Sequence, residues 1–144
     1  MAVDPETVRD NFALTAWLKE QARFGPPSPW DIDAWELHTH PDLVERVQQL
    51  APAGSFRPMY GVPVLVHPGG IVFAYAIGTL GLTVRTLVPV PERVRTEASF
   101  PPLDGWIAVD PWPVDIEMKE GTATMMRFMR DLYAALSPHP QQPR

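Results

Sequence analysis

Histidine is the residue type of this chain with the clearest capacity for chemistry. One residue separates His38 from His40, and side chains at positions i and i+2 of a strand point to the same face. Neutral imidazole is the commonest protein ligand for transition metals. With His67 as a third ligand and Asp42 or Asp110 as a fourth, the pattern predicts a metal site. Such a site would make the protein a small metal-dependent enzyme.

The same histidines also fit a structural role. Pro41 disfavours helical backbone in the residue that precedes it, so His40 would lie at the N-terminus of a helix that begins at Pro41. The helix dipole would there disfavour the charged imidazole. His38 would then pack at the end of a short strand over residues 35–38. The sequence leaves both interpretations open, and it indicates no particular cofactor.

An acidic fragment, Asp115-Ile116-Glu117-Met118-Lys119, contains the acidic-x-Lys element of metal-dependent nucleases. A nuclease of this kind needs a further upstream aspartate to hold Mg²⁺. The available aspartates at 104 and 110 are very close in sequence, and the chain is acidic. The fragment is therefore more typical of a solvated charged loop before the last helix.

Tryptophans supply the second candidate site. The chain has five of them, and Trp30, Trp106 and Trp112 are expected in loops or at the ends of elements. Pro111 and Pro113 bracket Trp112 and restrict its backbone. Rigid aromatic side chains at a surface are typical of protein interfaces, although they also close the ends of small cores. We expect these three tryptophans to form an interaction surface.

The elements that must position these residues follow from the hydrophobic pattern. Grouped apolar strands with helices before and after them favour an α+β fold. We expect an antiparallel sheet of about four strands, centred on a three-strand meander, with the helices packed on one face. The predicted strands are 60–67, 71–77, 82–88 and 106–109. Three helices are predicted: the first starts near Asp4, the second covers 41–50 and the third covers 122–136.

Length and composition limit the function classes. A chain of 144 residues with 45% hydrophobic and 20% charged residues is typical of one soluble domain, which we place at 1–137, followed by a flexible proline-rich tail at 138–144. The 18 prolines fall mostly between the periodic segments. The absence of cysteine excludes disulfides and thiolate chemistry. A net charge of -5 disfavours nucleic-acid binding.

Targeting features are also missing from the sequence. The N-terminus has no basic segment followed by an apolar one, so we expect no signal peptide. Apolar runs are far shorter than the ~20 residues that span a bilayer. These features predict a cytoplasmic protein that does not enter the membrane.

One stretch of the chain resembles a known family. Residues 57–61 end in the pattern Met-aromatic-Gly. A predicted strand and a glycine turn follow, and they lead to Val-Phe-Ala at 72–74. This order resembles the N-terminal domain of the TfoX competence regulators and the YjbR (MmcQ)-like small proteins. The strand at 82–85, which ends in arginine, fits the same pattern over roughly residues 45–90. The resemblance implies a small non-enzymatic α+β domain with a regulatory or DNA-associated role, although this chain is acidic.

Together these features favour a small cytoplasmic protein-interaction or regulatory domain that is not an enzyme. It would pair with itself as a homodimer or bind another protein. The tryptophans and the proline-rich loop at 89–102 would form its surface. The alternatives are the metal-dependent enzyme built on the three histidines and a nucleic-acid-associated regulator.

Overall fold

The computed structural model describes residues 3–22, 39–77, 81–96, 103–113 and 119–136. This part of the chain forms a five-stranded antiparallel sheet in which the strands follow one another in sequence order. The predicted α+β class is confirmed, with five strands where we expected about four. The strands are β1 Phe56–Met59, β2 Val62–Val66, β3 Val72–Ile77, β4 Gly81–Arg85 and β5 Trp106–Val109, and the helices are α1 Phe12–Ala22, α2 Pro41–Leu50 and α3 Lys119–Leu136.

The additional strand is β1, which pairs with β2 through a two-residue hairpin. Met59 lies opposite Val62, and the two residues between them have positive φ angles, 54° at Tyr60 and 79° at Gly61. Two consecutive positive φ values define a type I′ turn, whose twist matches that of the flanking strands. Our prediction extended the first meander strand back to Tyr60, because asparagine or aspartate is usual at that turn position and tyrosine is not.

The helices cover both faces of the sheet rather than the single face that we expected. Successive residues of a strand point to opposite faces. Val64 packs in a cluster with Leu14 and Leu18 of α1, whereas Leu65 packs in a second cluster with residues of α2 and α3. All six residues of β3 are buried. The sheet therefore separates two cores, one under α1 and one under α2 and α3.

The first helical segment is less regular than its sequence pattern predicts. The carboxylate of Asp4 accepts a hydrogen bond from the backbone N–H of Glu6 at 3.0 Å, as expected for an N-cap. Two short 3₁₀ turns, Pro5–Thr7 and Arg9–Asn11, follow before α1 begins. Phe12, the first residue of α1, is 51% exposed.

The other two helices agree with the sequence. α2 begins and ends at the predicted residues, and α3 starts at Lys119, three residues before the predicted start. The predicted strand at 35–38, the tail at 138–144 and the loop residues 97–102 lie outside the described residues. Among those described, no helix is both long and apolar enough to span a bilayer.

Candidate functional site

The structure gives two of the three predicted metal ligands local structural roles. The Nδ1 atom of His40 accepts a hydrogen bond from the backbone N–H of Asp42 at 3.0 Å, so His40 caps α2. The Nδ1 atom of His67 accepts from the backbone N–H of Gly69 at 3.1 Å. His38 lies outside the described residues. Within the part of the chain that the structure describes, no group of three or more His, Cys, Asp or Glu side chains could hold a metal ion.

His67 belongs to the core under α3. Its side chain is 8% exposed, and its ring centroid lies 4.9 Å from that of Tyr133. Burial lowers the pKa of His67, because desolvation disfavours the charged imidazole. A neutral ring is also what the hydrogen bond from Gly69 requires, since only an unprotonated Nδ1 can accept.

Trp106 is part of the core under α1 and contacts its aromatic residues. Its ring centroid lies 5.1 Å from that of Tyr75, which in turn lies 5.4 Å from the ring of Trp17. The guanidinium carbon of Arg85 lies 4.6 Å from the Trp106 ring centroid, a cation–π distance. Trp106 is partly buried, and these contacts fit the alternative that the sequence left open, in which it closes the end of the core. Trp30 lies outside the described residues.

Trp112 forms part of a surface groove with a volume of about 580 Å³. The ring is half-buried, and it packs against the core under α2 and α3. The other lining residues come from α2, three from exposed positions and one, Arg46, from its buried stripe. We call this feature the Trp112 groove, lined by Asp42, Glu45, Arg46, Gln49 and Trp112.

Several contacts fix the backbone that carries Trp112. The carboxylate of Asp110 accepts a hydrogen bond from the backbone N–H of Trp112 at 2.9 Å. The flanking residues, Pro111 and Pro113, are both buried and have restricted φ angles. Arg46 donates from Nε to the carbonyl oxygen of Pro111 at 2.7 Å. The loop is therefore attached to α2 at the residue next to Trp112.

Arg46 is the residue on which this arrangement depends. It is 8% exposed, and its two terminal nitrogens donate to Gln49 Oε1 at 2.8 Å and to Thr122 Oγ1 at 3.2 Å. Burial lowers the pKa of Arg46, and the negative charge of Asp110 acts in the opposite direction. The guanidinium nevertheless stays charged, because arginine is not deprotonated in proteins. One side chain thus connects α2, the Trp112 loop and α3.

Arg46 was not among the residues predicted from the sequence, although its position on α2 carried the necessary information. Leu43, Arg46, Val47 and Leu50 follow the i, i+3, i+4, i+7 spacing of a buried helix face, and all four are buried. A charged residue in that stripe must find internal partners. The helix pattern alone therefore indicated a buried arginine, but not which groups it would bind.

A second polar network lies on the α1 side of the sheet. Arg85 donates from Nε to the carbonyl oxygen of Val72 at 2.6 Å and from NH2 to the Asn11 side-chain oxygen at 3.1 Å. Asn11 is fully buried. Burial lowers the pKa of Arg85, against the effect of Asp10. All of these bonds end on other groups of the protein, so the network serves the fold rather than a ligand.

Comparisons of the chain with protein-family models, with curated proteins and with solved structures find no match. The resemblance to the TfoX and YjbR-like families therefore remains a prediction from the motifs in the sequence.

Proposed function

We propose that this chain is a non-enzymatic, cytoplasmic protein-interaction domain, and that it binds its partner protein at the Trp112 groove. The observation that carries the proposal is the fixed position of Trp112. Its backbone N–H, its preceding carbonyl and both flanking residues are constrained. A regulatory role of this kind is also what the resemblance to the TfoX and YjbR-like proteins would imply.

A constrained tryptophan beside a groove suits partner binding for an energetic reason. Binding becomes weaker when side chains and loops must be ordered at the interface. The unfavourable contribution to the binding free energy is about 0.5–1.5 kcal/mol for each mobile side chain. A tryptophan that the fold already holds avoids most of that loss. Tryptophan is also among the residues that most often dominate the energy of protein interfaces. The groove beside it gives a partner side chain a concave place to bury.

Site-specific photo-crosslinking tests this proposal on the full chain in its own cells. A photoreactive residue is introduced at position 49, which lines the groove, or at position 48, which is exposed on α2 and does not line it. We expect defined protein adducts from position 49 and at least severalfold less from position 48. The mass of the adduct distinguishes a second copy of this chain from a different protein.

A Trp112 variant tests whether these adducts depend on the proposed anchor. Trp112→Leu keeps apolar volume against the core but removes the indole. If the variant retains its circular dichroism and melting temperature, we expect the position-49 adducts to disappear. Equal adducts from positions 48 and 49, or adducts that persist in the folded Trp112→Leu protein, would show that the groove is not the binding site.

A further inference from the structure

The charges around the Trp112 groove indicate what kind of side chain it accepts. Asp42 and Glu45 line the groove and are exposed. Arg46 also lines it, and it lies within the electrostatic influence of Asp110. These three carboxylates and one guanidinium leave a net charge of -2. The carboxylates of Asp42 and Glu45 are exposed to solvent, with Asp42 Oδ2 at 4.0 Å from His40 Nδ1, whereas the guanidinium is buried.

Arg46 already uses its donors within the protein. It donates to Pro111, Gln49 and Thr122, and these bonds hold the groove together. An anionic ligand would have to approach this buried cation past Asp42 and Glu45, which would repel it. The geometry therefore disfavours a carboxylate or a phosphate as the occupant.

Trp112 adds an independent preference for a cation. The indole is the best aromatic partner for a guanidinium or an ammonium group. An arginine or lysine side chain can lay its apolar stem along an aromatic ring while its charged end reaches a carboxylate. In this groove Trp112 and two exposed acidic residues line the same space, so one cationic side chain could contact both.

We infer that the Trp112 groove binds the cationic side chain of an arginine or lysine on a different, basic partner protein. This inference rests on the proposed interaction function. A second copy of the chain is disfavoured because each copy carries a net charge of -5, and like charges oppose encounter. The partner is therefore expected to present a basic segment to this acidic groove.

Peptide titration of the full, ¹⁵N-labelled chain tests the inference. The indole N–H resonance of Trp112 is assigned by its loss in Trp112→Phe. The probes are blocked Gly-X-Gly peptides in which X is arginine, lysine, norleucine or glutamate. We expect saturable shifts with arginine and lysine, and an affinity roughly threefold to tenfold above that for norleucine, because exposed pairs and cation–π contacts are individually weak. Added salt should weaken this binding.

Charge-neutral variants provide the control. Asp42→Asn and Glu45→Gln together should remove the preference for arginine over norleucine, while Asp131→Asn, at an exposed position of α3, should leave it unchanged. Equal binding of norleucine or glutamate, no Trp112 shift with any cation, or an unchanged preference in the double variant would overturn the inference.

The crosslinking experiment separates this inference from the proposed function. Position-49 adducts that need Trp112 but survive Asp42→Asn with Glu45→Gln would keep the interaction function and overturn the cationic partner. Adducts lost in both variants would support both statements.

Discussion

His67 is a residue whose protonation state the fold constrains through both a hydrogen bond and burial. Its Nδ1 atom accepts from Gly69, and burial lowers its pKa from the ordinary 6.5. The folded protein therefore binds a proton at His67 less readily than the unfolded chain does. The stabilising contribution of the neutral ring is complete above pH 6.5 and is lost as the pH falls through the lower pKa of the folded state.

Replacement of His67 by asparagine should separate this titration from the hydrogen bond. The asparagine side-chain oxygen can accept from a backbone N–H two residues on, but it does not titrate. We expect the free energy of unfolding of wild type, measured by urea denaturation, to decrease more than that of His67→Asn between pH 7.5 and pH 5. A difference between the two proteins that stays constant over this range would contradict a depressed pKa.

Individual residues were predictable from sequence where a local rule applied. His40 precedes a proline at a helix start, and the structure places it as the cap of α2. Pro111 and Pro113 indicated a fixed backbone at Trp112. Arg46 needed knowledge of which loop packs on α2, because two of its three bonds reach residues 65 and 76 positions away. Local rules carry no information about such distant partners.

Among the elements, β2 contains an unusual residue for a strand that is paired on both sides. Pro63 has no N–H to donate. The observed pairing of Val64 with Tyr75 places Pro63 opposite Ala76, whose carbonyl oxygen would therefore lack a donor from β2. Thr39 lies beside this end of β3 and donates its hydroxyl to the Ala76 oxygen at 2.7 Å. Thr39 thus replaces the hydrogen bond that Pro63 cannot make.

The variant Thr39→Val tests whether the Thr39 hydroxyl replaces the N–H donor that Pro63 lacks. The variant leaves a buried carbonyl unsatisfied, which should lower the free energy of unfolding by about 1–3 kcal/mol. In the double variant, Pro63→Ala restores an N–H opposite Ala76, so the loss should be smaller by at least ~0.5 kcal/mol than the sum of the single changes. Denaturant unfolding of the four proteins measures this coupling.

Thr86→Val is the matched control for Thr39→Val. The Thr86 hydroxyl also donates to a backbone carbonyl, that of Gly105 at 3.2 Å, but at an exposed position. Water can satisfy that carbonyl, so the change should stay within about 0.5 kcal/mol. Equal losses for both variants, or additive effects in the double variant, would exclude the proposed role of Thr39.

The turn between β2 and β3 depends on one of its two glycines. Gly70 has φ +94°, and a Cβ there would lie 2.7 Å from Val8 Cγ2 and 2.9 Å from Val3 Cγ1. At Gly69 the nearest atom, His67 Nδ1, would be 3.4 Å away. We expect Gly70→Ala to lose about 1–3 kcal/mol from backbone strain, with a further loss from the clash.

Gly69→Ala is the control for this position, and it should change stability by less than ~1 kcal/mol, since its Cβ makes only an ordinary contact. Thermal unfolding of both variants measures the difference. Similar melting temperatures for the two variants would contradict both the strained backbone at Gly70 and the packing of Val3 and Val8 against it.

Elements were predictable where the hydrophobic periodicity agreed with the residues that typically start or end a helix or strand. α2 has a proline at its first position and four buried residues at helical spacing, and its bounds were correct. β1 has neither alternation nor a run of β-formers, and it contains Pro58, a residue expected only at the edge of a sheet. β1 forms because it pairs with β2 across the hairpin, an interaction that the sequence of its own four residues does not indicate.

At the scale of the whole molecule, the buried side-chain amide of Asn11 joins the N-terminal segment to the sheet, beside further bonds such as that from Arg85 to the Asp10 carbonyl. Asn11 accepts at Oδ1 from the Val72 N–H at 3.0 Å and from Arg85 at 3.1 Å. Its Nδ2 donates to the carbonyl oxygens of Pro5 at 2.8 Å and Gly70 at 2.7 Å. All four hydrogen-bonding capacities of the side chain are used. The packing of α1 over the sheet is therefore tied to this residue.

Because the two cores lie on opposite faces of the sheet, we expect a destabilising substitution in one core to increase local opening there more than in the other core. Asn11→Ala leaves the Val72 N–H and the Pro5 and Gly70 carbonyls without the Asn11 side chain as partner, and each buried unsatisfied group costs about 1–3 kcal/mol. We expect a total loss of about 3 kcal/mol or more. Local opening should be concentrated where contacts are lost, so native-state hydrogen exchange should speed up at Val72.

The amide of Trp112 lies on the other core and bonds to Asp110, so its exchange should change only by the global loss of stability. Thr7→Ala, which removes an exposed hydroxyl bonded to Asp4, is the control and should leave both amides unaffected. If Asn11→Ala accelerated exchange equally at Val72 and Trp112 under strongly native conditions, the two faces would open as one unit. The Trp112 groove would then share the stability of the N-terminal segment instead of depending on Arg46.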